Sequence, residues 1–71
     1  MKKTQLGNRL KVARAEKNLS QEELGSLAGV TRQTISSIET GLYNPSALLA
    51  LVLAQRLDKR VEELFYLEDK S

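Results

Sequence analysis

The chain has 71 residues and a formal net charge of +2, and it contains no cysteine and no histidine. A chain of this length holds one small domain, and it lacks disulfide bridges, thiolate chemistry, the commonest general base and the commonest transition-metal ligand. We therefore do not expect an enzyme, a cofactor or a bound metal. The longest apolar run, residues 47–54, is too short to cross a bilayer, so we expect a cytoplasmic protein without membrane contact.

The first predicted helix covers Thr4–Lys17. Along it, Leu6, Leu10 and Ala13 recur at the spacing of one helix face, which predicts that this face packs inward. Asn18 follows, and asparagine tolerates the left-handed conformation that commonly ends a helix. The sequence therefore predicts a long first helix that stops at Asn18.

Two short helices joined by a tight turn are predicted over residues 19–39. Ser20 can cap the second helix, and Glu23, three residues later, can complete a capping box. Gly29 ends that helix, and Thr31 can cap the third. Leucine and isoleucine recur at helical spacing on one side of each helix, so we expect the two to pack together as a helix-turn-helix.

The third helix leaves a polar face uncovered, which consists of Arg32, Gln33, Thr34, Ser36 and Ser37. Side chains of these types hydrogen-bond to base edges, and a face almost free of carboxylates does not repel phosphate. The charge distribution agrees with this interpretation, because residues 1–38 carry a net charge of +4 and residues 39–71 a net charge of −2. The pattern predicts a helix that reads bases in a major groove of DNA.

Two further helices complete the predicted fold. Ser46 caps a fourth helix over residues 47–57, and a short fifth helix is predicted over residues 61–66. No strand pattern of useful length appears. We therefore predict a single all-α domain over residues 1–67, followed by a short polar tail over residues 68–71.

Several motifs resemble those of one known family. They are Leu6-Gly-Asn-Arg-Leu-Lys11, Arg14-Ala-Glu-Lys-Asn-Leu-Ser-Gln-Glu-Glu-Leu24, Gly29-Val-Thr-Arg-Gln-Thr-Ile-Ser-Ser-Ile-Glu39, Tyr43-Asn-Pro-Ser46 and Glu62-Glu-Leu-Phe65. Together they are similar to the XRE-type family of phage Cro and repressor proteins, in its small stand-alone form. The resemblance implies a compact five-helix fold like that of lambda repressor, which binds operator DNA as a homodimer with its third helix in the major groove.

The resemblance also implies roles for single residues. The side chains expected to read bases are Arg32, Gln33, Ser36 and Ser37, with Arg32 suited to guanine and Gln33 to adenine. The residues expected to contact phosphates are Gln21, Thr31, Thr34, Arg9, Tyr43 and Asn44. Loop backbone N–H groups beside Tyr43 are further candidates for phosphate contact.

Two other sets of residues are implied to have structural roles. The family commonly pairs an arginine of the first helix with the glutamate that ends the third, which here are Arg14 and Glu39. Such a pair sets the angle of the recognition helix and does not touch DNA. The homodimer is expected to form through the apolar cluster of the fifth helix and its neighbours, which contains Val61, Leu64, Phe65, Tyr66 and Leu67.

The fourth helix departs from the family pattern. Leu48 and Val52 lie four residues apart on a face where relatives usually carry polar side chains. Two interpretations stay open, namely a pair of stray surface aliphatics and a surface for self-association or for a protein partner.

The main functional hypothesis is a transcriptional regulator, a repressor, that binds a palindromic operator in double-stranded DNA as a homodimer. No small-molecule ligand is expected. An antitoxin is the alternative within DNA binding, although the last residues are too few for a dedicated toxin-binding tail. A protein-interaction module without specific DNA binding is the alternative from a different class.

Overall fold

The structure, a computed structural model, describes residues 3–70, with Lys70 described by its backbone alone. Within these residues, five helices are preceded and followed by a β-strand. In chain order the elements are β1 (Lys3–Asn8), α1 (Leu10–Glu16), α2 (Gln21–Ala28), α3 (Arg32–Glu39), α4 (Ala47–Arg56), α5 (Val61–Leu64) and β2 (Phe65–Lys70).

The prediction of five helices with a helix-turn-helix is confirmed, but the fold is not purely α-helical, because β1 and β2 pair as a two-stranded antiparallel sheet. The helix predicted over Thr4–Lys17 therefore begins only at Leu10. Gly7 lies opposite Tyr66, and a Cβ atom on Gly7 would overlap the tyrosine ring at Cε2. Glycine at this position lets the ring lie across the neighbouring strand, and this contact stabilises the strand pair.

The second strand comes from residues that the sequence assigned differently. The helix predicted over residues 61–66 ends at Leu64, and residues 68–70, which were expected in a polar tail, lie in β2. Ser71, the last residue of that expected tail, lies outside the described residues. The helical fold is therefore closed at one end by a strand pair that joins the beginning of the described chain to its end.

The core draws on every helix and on β2. Its buried apolar side chains are Leu10, Ala13, Leu24, Ile35, Ile38, Leu53, Ala54, Leu57, Leu64 and Phe65. Burying each leucine, isoleucine or phenylalanine side chain contributes about 1.5–3 kcal/mol relative to leaving it exposed. Because α2 and α3 each contribute to this single core, the polar face of α3 is held in one orientation.

Asn8, at the end of β1, ties the sheet to the helices. Its Oδ1 accepts a hydrogen bond from the Leu10 N–H (3.1 Å), and its Nδ2 donates to the Ile38 carbonyl oxygen (3.0 Å). The first bond stabilises the start of α1, and the second satisfies a carbonyl near the end of α3. The strand pair therefore supports the end of α3 from behind.

Candidate nucleic-acid interface

The helix-turn-helix is built from local capping interactions. The Ser20 Oγ accepts from the Glu23 N–H (3.0 Å), while Glu23 Oε1 accepts from the Ser20 N–H (2.8 Å), so the capping box is complete. Gly29 ends α2 with φ of 76°, a left-handed conformation that glycine adopts without steric cost. Thr31 then caps α3, since its Oγ1 accepts from the Thr34 N–H (3.1 Å).

The polar face of α3 is turned away from the core. Ile35 and Ile38 are buried, whereas Arg32 and Gln33 are exposed and Ser36, Ser37 and Thr34 are partly exposed. Glu39, the carboxylate of α3, has its side chain only 5% exposed and is turned inward. The outer face of α3 is thus polar and free of exposed carboxylates.

A shallow groove runs beside this face. It is lined by Val30, Gln33, Thr34, Ser37, Tyr43 and Leu49, so it brings the recognition helix and the loop before α4 together. The Tyr43 side chain is half-exposed, and Asn44 is exposed. The N–H groups of Leu42 and Tyr43 both donate to the Ser37 carbonyl, at 2.9 and 3.1 Å. These two backbone amides already have an acceptor within the chain, so they are not free to donate to a phosphate.

The hydroxyls of Thr31 and Thr34 form a pair at the start of α3. Their Oγ1 atoms are 3.0 Å apart, and either one can be the donor. Two hydroxyls carry two hydrogens, and this contact uses one of them. The second hydrogen remains able to reach an acceptor such as a phosphate oxygen.

Behind the polar face, Arg14, Gln21 and Glu39 form a hydrogen-bonded network. Arg14 donates to Glu39 through Nε (2.8 Å) and Nη2 (3.3 Å), and its Nη1 donates to the Leu19 carbonyl (2.8 Å). Gln21 Nε2 donates to Glu39 Oε1 (3.0 Å). The network therefore connects α1, the loop after it, the first residue of α2 and the last residue of α3.

The charge state of Arg14 is set by this contact. The hydrogen bond to Glu39 raises the pKa of the guanidinium above its usual value, burial acts in the opposite direction, and the attraction of the Glu39 charge adds to the rise. Arg14 therefore stays positively charged, and it lies beside the Glu39 carboxylate behind the surface that faces outward.

Arg9 lies in a different part of the surface from α3. Its guanidinium carbon lies 5.8 Å from the centroid of the Tyr66 ring, a cation–π distance. The groove that it lines, together with Val12, Ala13, Glu16, Lys59, Glu62 and Glu63, shares no residue with the groove beside α3. The structure thus places Arg9 beside Tyr66 of β2 and in a groove other than the one beside α3.

The residues expected at a dimer interface are divided between core and surface. Leu64 and Phe65 are buried within the chain itself, and Val61 packs partly against the same core. Tyr66 and Leu67 are exposed, with Leu67 at 76%. Within one chain, the accessible part of this cluster is therefore the strand β2 and the edge of α5.

The outer face of α4 is apolar. Leu48 is 73% exposed, and Val52 is partly buried in a groove that includes Ala28 and Val30. Leu51, which the sequence analysis did not single out, is 57% exposed. The sequence does carry a signal for this exposed surface, because the eight apolar residues that begin α4 are more than one inward-facing stripe of a helix requires.

Asn8 is the other residue whose role the sequence did not reveal. Asparagine after a glycine is a general turn signal, and nothing in the local pattern indicates the distant acceptor on α3.

Among residues 3–70, no cluster of three or more acidic side chains could hold a metal ion. Within the same residues, no helix has the length and apolar character needed to cross a membrane.

Comparison with known proteins places this geometry in context. A family model described as helix-turn-helix matches residues 10–64. An uncharacterized HTH-type transcriptional regulator of Bacillus subtilis, YgzD, is 45% identical over 64 residues, which cover 90% of this chain and 97% of that protein. The match thus spans nearly the full length of both chains.

Two solved structures share the fold. The restriction-modification controller protein C.AhdI from Aeromonas hydrophila superposes with a TM-score of 0.74 at 40% identity, covering 78% of this chain and 83% of that one. SinR, a master regulator for biofilm formation solved in complex with DNA, superposes with a TM-score of 0.71 at 40% identity, covering 76% and 87%.

Proposed function

The chain belongs to the XRE-type helix-turn-helix family of DNA-binding transcriptional regulators, and on that premise we propose that it is a repressor that binds a palindromic operator as a homodimer. The observation that carries the proposal is the outer face of α3, which is polar, exposed and free of exposed carboxylates. A helix of this kind fits the width of the major groove and can hydrogen-bond to base edges there.

Base readout is assigned to the exposed side chains of α3. Arg32 can donate two hydrogen bonds to a guanine, and Gln33 can form a bidentate pair with an adenine. Ser36 and Ser37 are shorter and partly buried, so they suit bases that approach the helix closely. Each bidentate pair contributes about 1–3 kcal/mol of discrimination against the wrong base.

Phosphate contacts are assigned to the rim of this face. The Thr31 and Thr34 hydroxyls have one hydrogen left to donate, and Gln21 stands at the start of α2. Tyr43 lines the groove beside α3, and Asn44 is the exposed residue that follows it. Such contacts hold the protein in register on the duplex without carrying sequence information. Arg9 is the weakest member of this set, because it lies in a separate groove.

Dimerisation is assigned to the accessible part of the C-terminal cluster, namely the exposed Tyr66 and Leu67 and the partly buried Val61. A two-fold dimer places its two recognition helices about 34 Å apart, which matches successive turns of the major groove. Occupancy of the operator by such a dimer would exclude other proteins from the same DNA, and repression follows from that exclusion.

One observation favours a second activity. Leu48 and Leu51 are exposed on α4 together, with no charged residue between Glu39 and Arg56. An uncharged apolar surface of this kind suits contact with another protein. We therefore retain a protein-interaction role for the Leu48 and Val52 face as the alternative to a purely DNA-directed one.

Selection from a random duplex library tests the main proposal. We expect a palindrome with half-sites about 10 base pairs apart, bound roughly a thousandfold or more tighter than scrambled DNA. Arg32→Ala should lose about 5- to 150-fold of the discrimination at one base pair. Lys17→Ala is the matched control, because Lys17 is an exposed cation at the end of α1 and belongs neither to the proposed DNA interface nor to the proposed dimer interface. If binding is weak, selects no common sequence and disappears as the salt concentration rises, specific regulation is refuted.

A further inference from the structure

The amide of Gln21 is held in place by an unusual neighbour, a buried carboxylate. Gln21 Nε2 donates to Glu39 Oε1 at 3.0 Å, and the Glu39 side chain is 5% exposed. An ionised carboxylate only accepts hydrogen bonds, so the nitrogen end of the amide is the end that must face Glu39. The contact therefore fixes which way the amide is turned.

The same contact leaves a donor on Gln21. An amide nitrogen carries two hydrogens, and within residues 3–70 this one makes a single hydrogen bond. Gln21 is itself partly exposed, so it is accessible from solvent at the start of α2. The amide is thus anchored on one side and able to donate on the other.

Glu39 can play this part because Arg14 neutralises it. Two guanidinium nitrogens donate to the carboxylate, at 2.8 and 3.3 Å. Without that partner, a carboxylate beside a phosphate site would repel the ligand. Paired, it supplies an acceptor that orients Gln21 and adds little net charge.

We infer that Glu39 is a positioning residue for DNA binding, which orients the Gln21 amide toward one backbone phosphate and ties that contact to the end of α3. This inference rests on the proposed function and deepens it. Because Glu39 ends the helix that reads bases, a shift of α3 would move the phosphate anchor on α2 with it. Base readout and backbone register are then coupled through one side chain.

Methylphosphonate substitution, which removes the charge of one phosphate at a time, tests the inference on the selected operator. In the unmodified protein the substitution at the Gln21 phosphate should weaken binding roughly tenfold or more, and Gln21→Ala should abolish that penalty at that phosphate alone. Glu39→Gln keeps the side-chain size but replaces one acceptor oxygen by an NH2 group and removes the charge that holds Arg14, so the three hydrogen bonds from Arg14 and Gln21 can no longer all form. The variant should therefore reduce the penalty at the same phosphate. Ile38→Val, which alters the core of α3 without touching the network, should leave the whole profile unchanged.

The outcomes separate the two claims. If Gln21→Ala retains every penalty, the phosphate role assigned under the proposed function is wrong. If Gln21→Ala loses one penalty and Glu39→Gln retains it, the positioning role is overturned while the phosphate contact stands. A uniform decrease at all phosphates in Glu39→Gln would also overturn it, since that indicates a general structural effect. Glu39→Asp, which keeps the charge but is shorter by one methylene, should reproduce the selective loss and serves if Glu39→Gln does not fold.

Discussion

Replacement of Arg14 by alanine is the most direct test of how the recognition helix is held. In the structure the Glu39 carboxylate accepts two hydrogen bonds from Arg14 and one from Gln21. Arg14→Ala leaves a carboxylate that is 5% exposed with one neutral donor, and it also removes the donor to the Leu19 carbonyl. Breaking a buried ion pair on one side typically costs about 3–5 kcal/mol. We expect about 3 kcal/mol, the lower end, because the Arg14 side chain is 15% exposed and water can enter its place.

That loss is large for a domain of this size. Stabilities of about 0.05–0.15 kcal/mol per residue imply roughly 4–10 kcal/mol for the whole chain. The variant should therefore lose about a quarter or more of its free energy of unfolding. Urea unfolding followed by far-ultraviolet circular dichroism measures this directly, with an unchanged m-value showing that the denatured state is comparable.

Two further variants control the measurement. Lys17→Ala breaks the ion pair with Asp58, whose two side chains are 42% and 82% exposed, and it should change stability little. The double variant Arg14→Met, Glu39→Leu replaces both largely inaccessible charges with apolar groups and should recover most of the loss. A loss below about 1 kcal/mol for Arg14→Ala, or a double variant as unstable as the single one, would refute the view of Glu39 as a buried charge that depends on its partner.

The remaining predictions concern the cap of α2 and the strand pair. Ser20→Ala should cost about 1 kcal/mol in the free energy of unfolding, measured by urea titration, because the Glu23 N–H loses its acceptor. The Ser20 N–H, and then the Ser20 hydroxyl, lower the pKa of Glu23 in the folded protein. The stability that Glu23 contributes is therefore present above its unfolded-state pKa and is lost as pH falls through its folded-state pKa. When the free energy of unfolding is measured from neutral to acid pH, Glu23→Gln should lose less stability than the unmodified protein, and equal losses would contradict this assignment. In Gly7→Val, the added side chain should overlap the Tyr66 ring and weaken the strand pair. Amide hydrogen exchange should then become faster in β1 and β2 while α2 and α3 stay protected. Unaltered exchange in the strands would show that the close contact between residue 7 and Tyr66 does not stabilise them.

The helix-turn-helix was predictable because its signals are local. A serine, a glutamate three residues later, a glycine at the turn and a threonine cap act within a few residues of one another, and each capping bond is present. The spacing of Ile35 and Ile38 likewise identifies the buried side of α3 without reference to the rest of the chain. The family and its polar recognition face followed from these short patterns.

The strand pair was not predictable in the same way. Leu6, Leu10 and Ala13 fit a helix face, yet Leu6 lies in β1, opposite Leu67. This pairing joins segments about sixty residues apart in the sequence, and a local sequence pattern does not identify a strand partner at that distance. Tyr66 over Gly7 then favours the strand, an interaction that exists only when both ends of the chain meet.

The sequence alone therefore determined the helix-turn-helix, its caps and the residues on its polar face, because those depend on side chains a few positions apart. Only the tertiary structure decided which charges are buried and which apolar groups are left outside. Leu64 and Phe65 enter the core while Leu67 does not, and Gln21 and Arg14 both meet Glu39. The reason is physical: burial and long-range hydrogen bonds depend on how complete elements pack, and packing is a property of the whole chain.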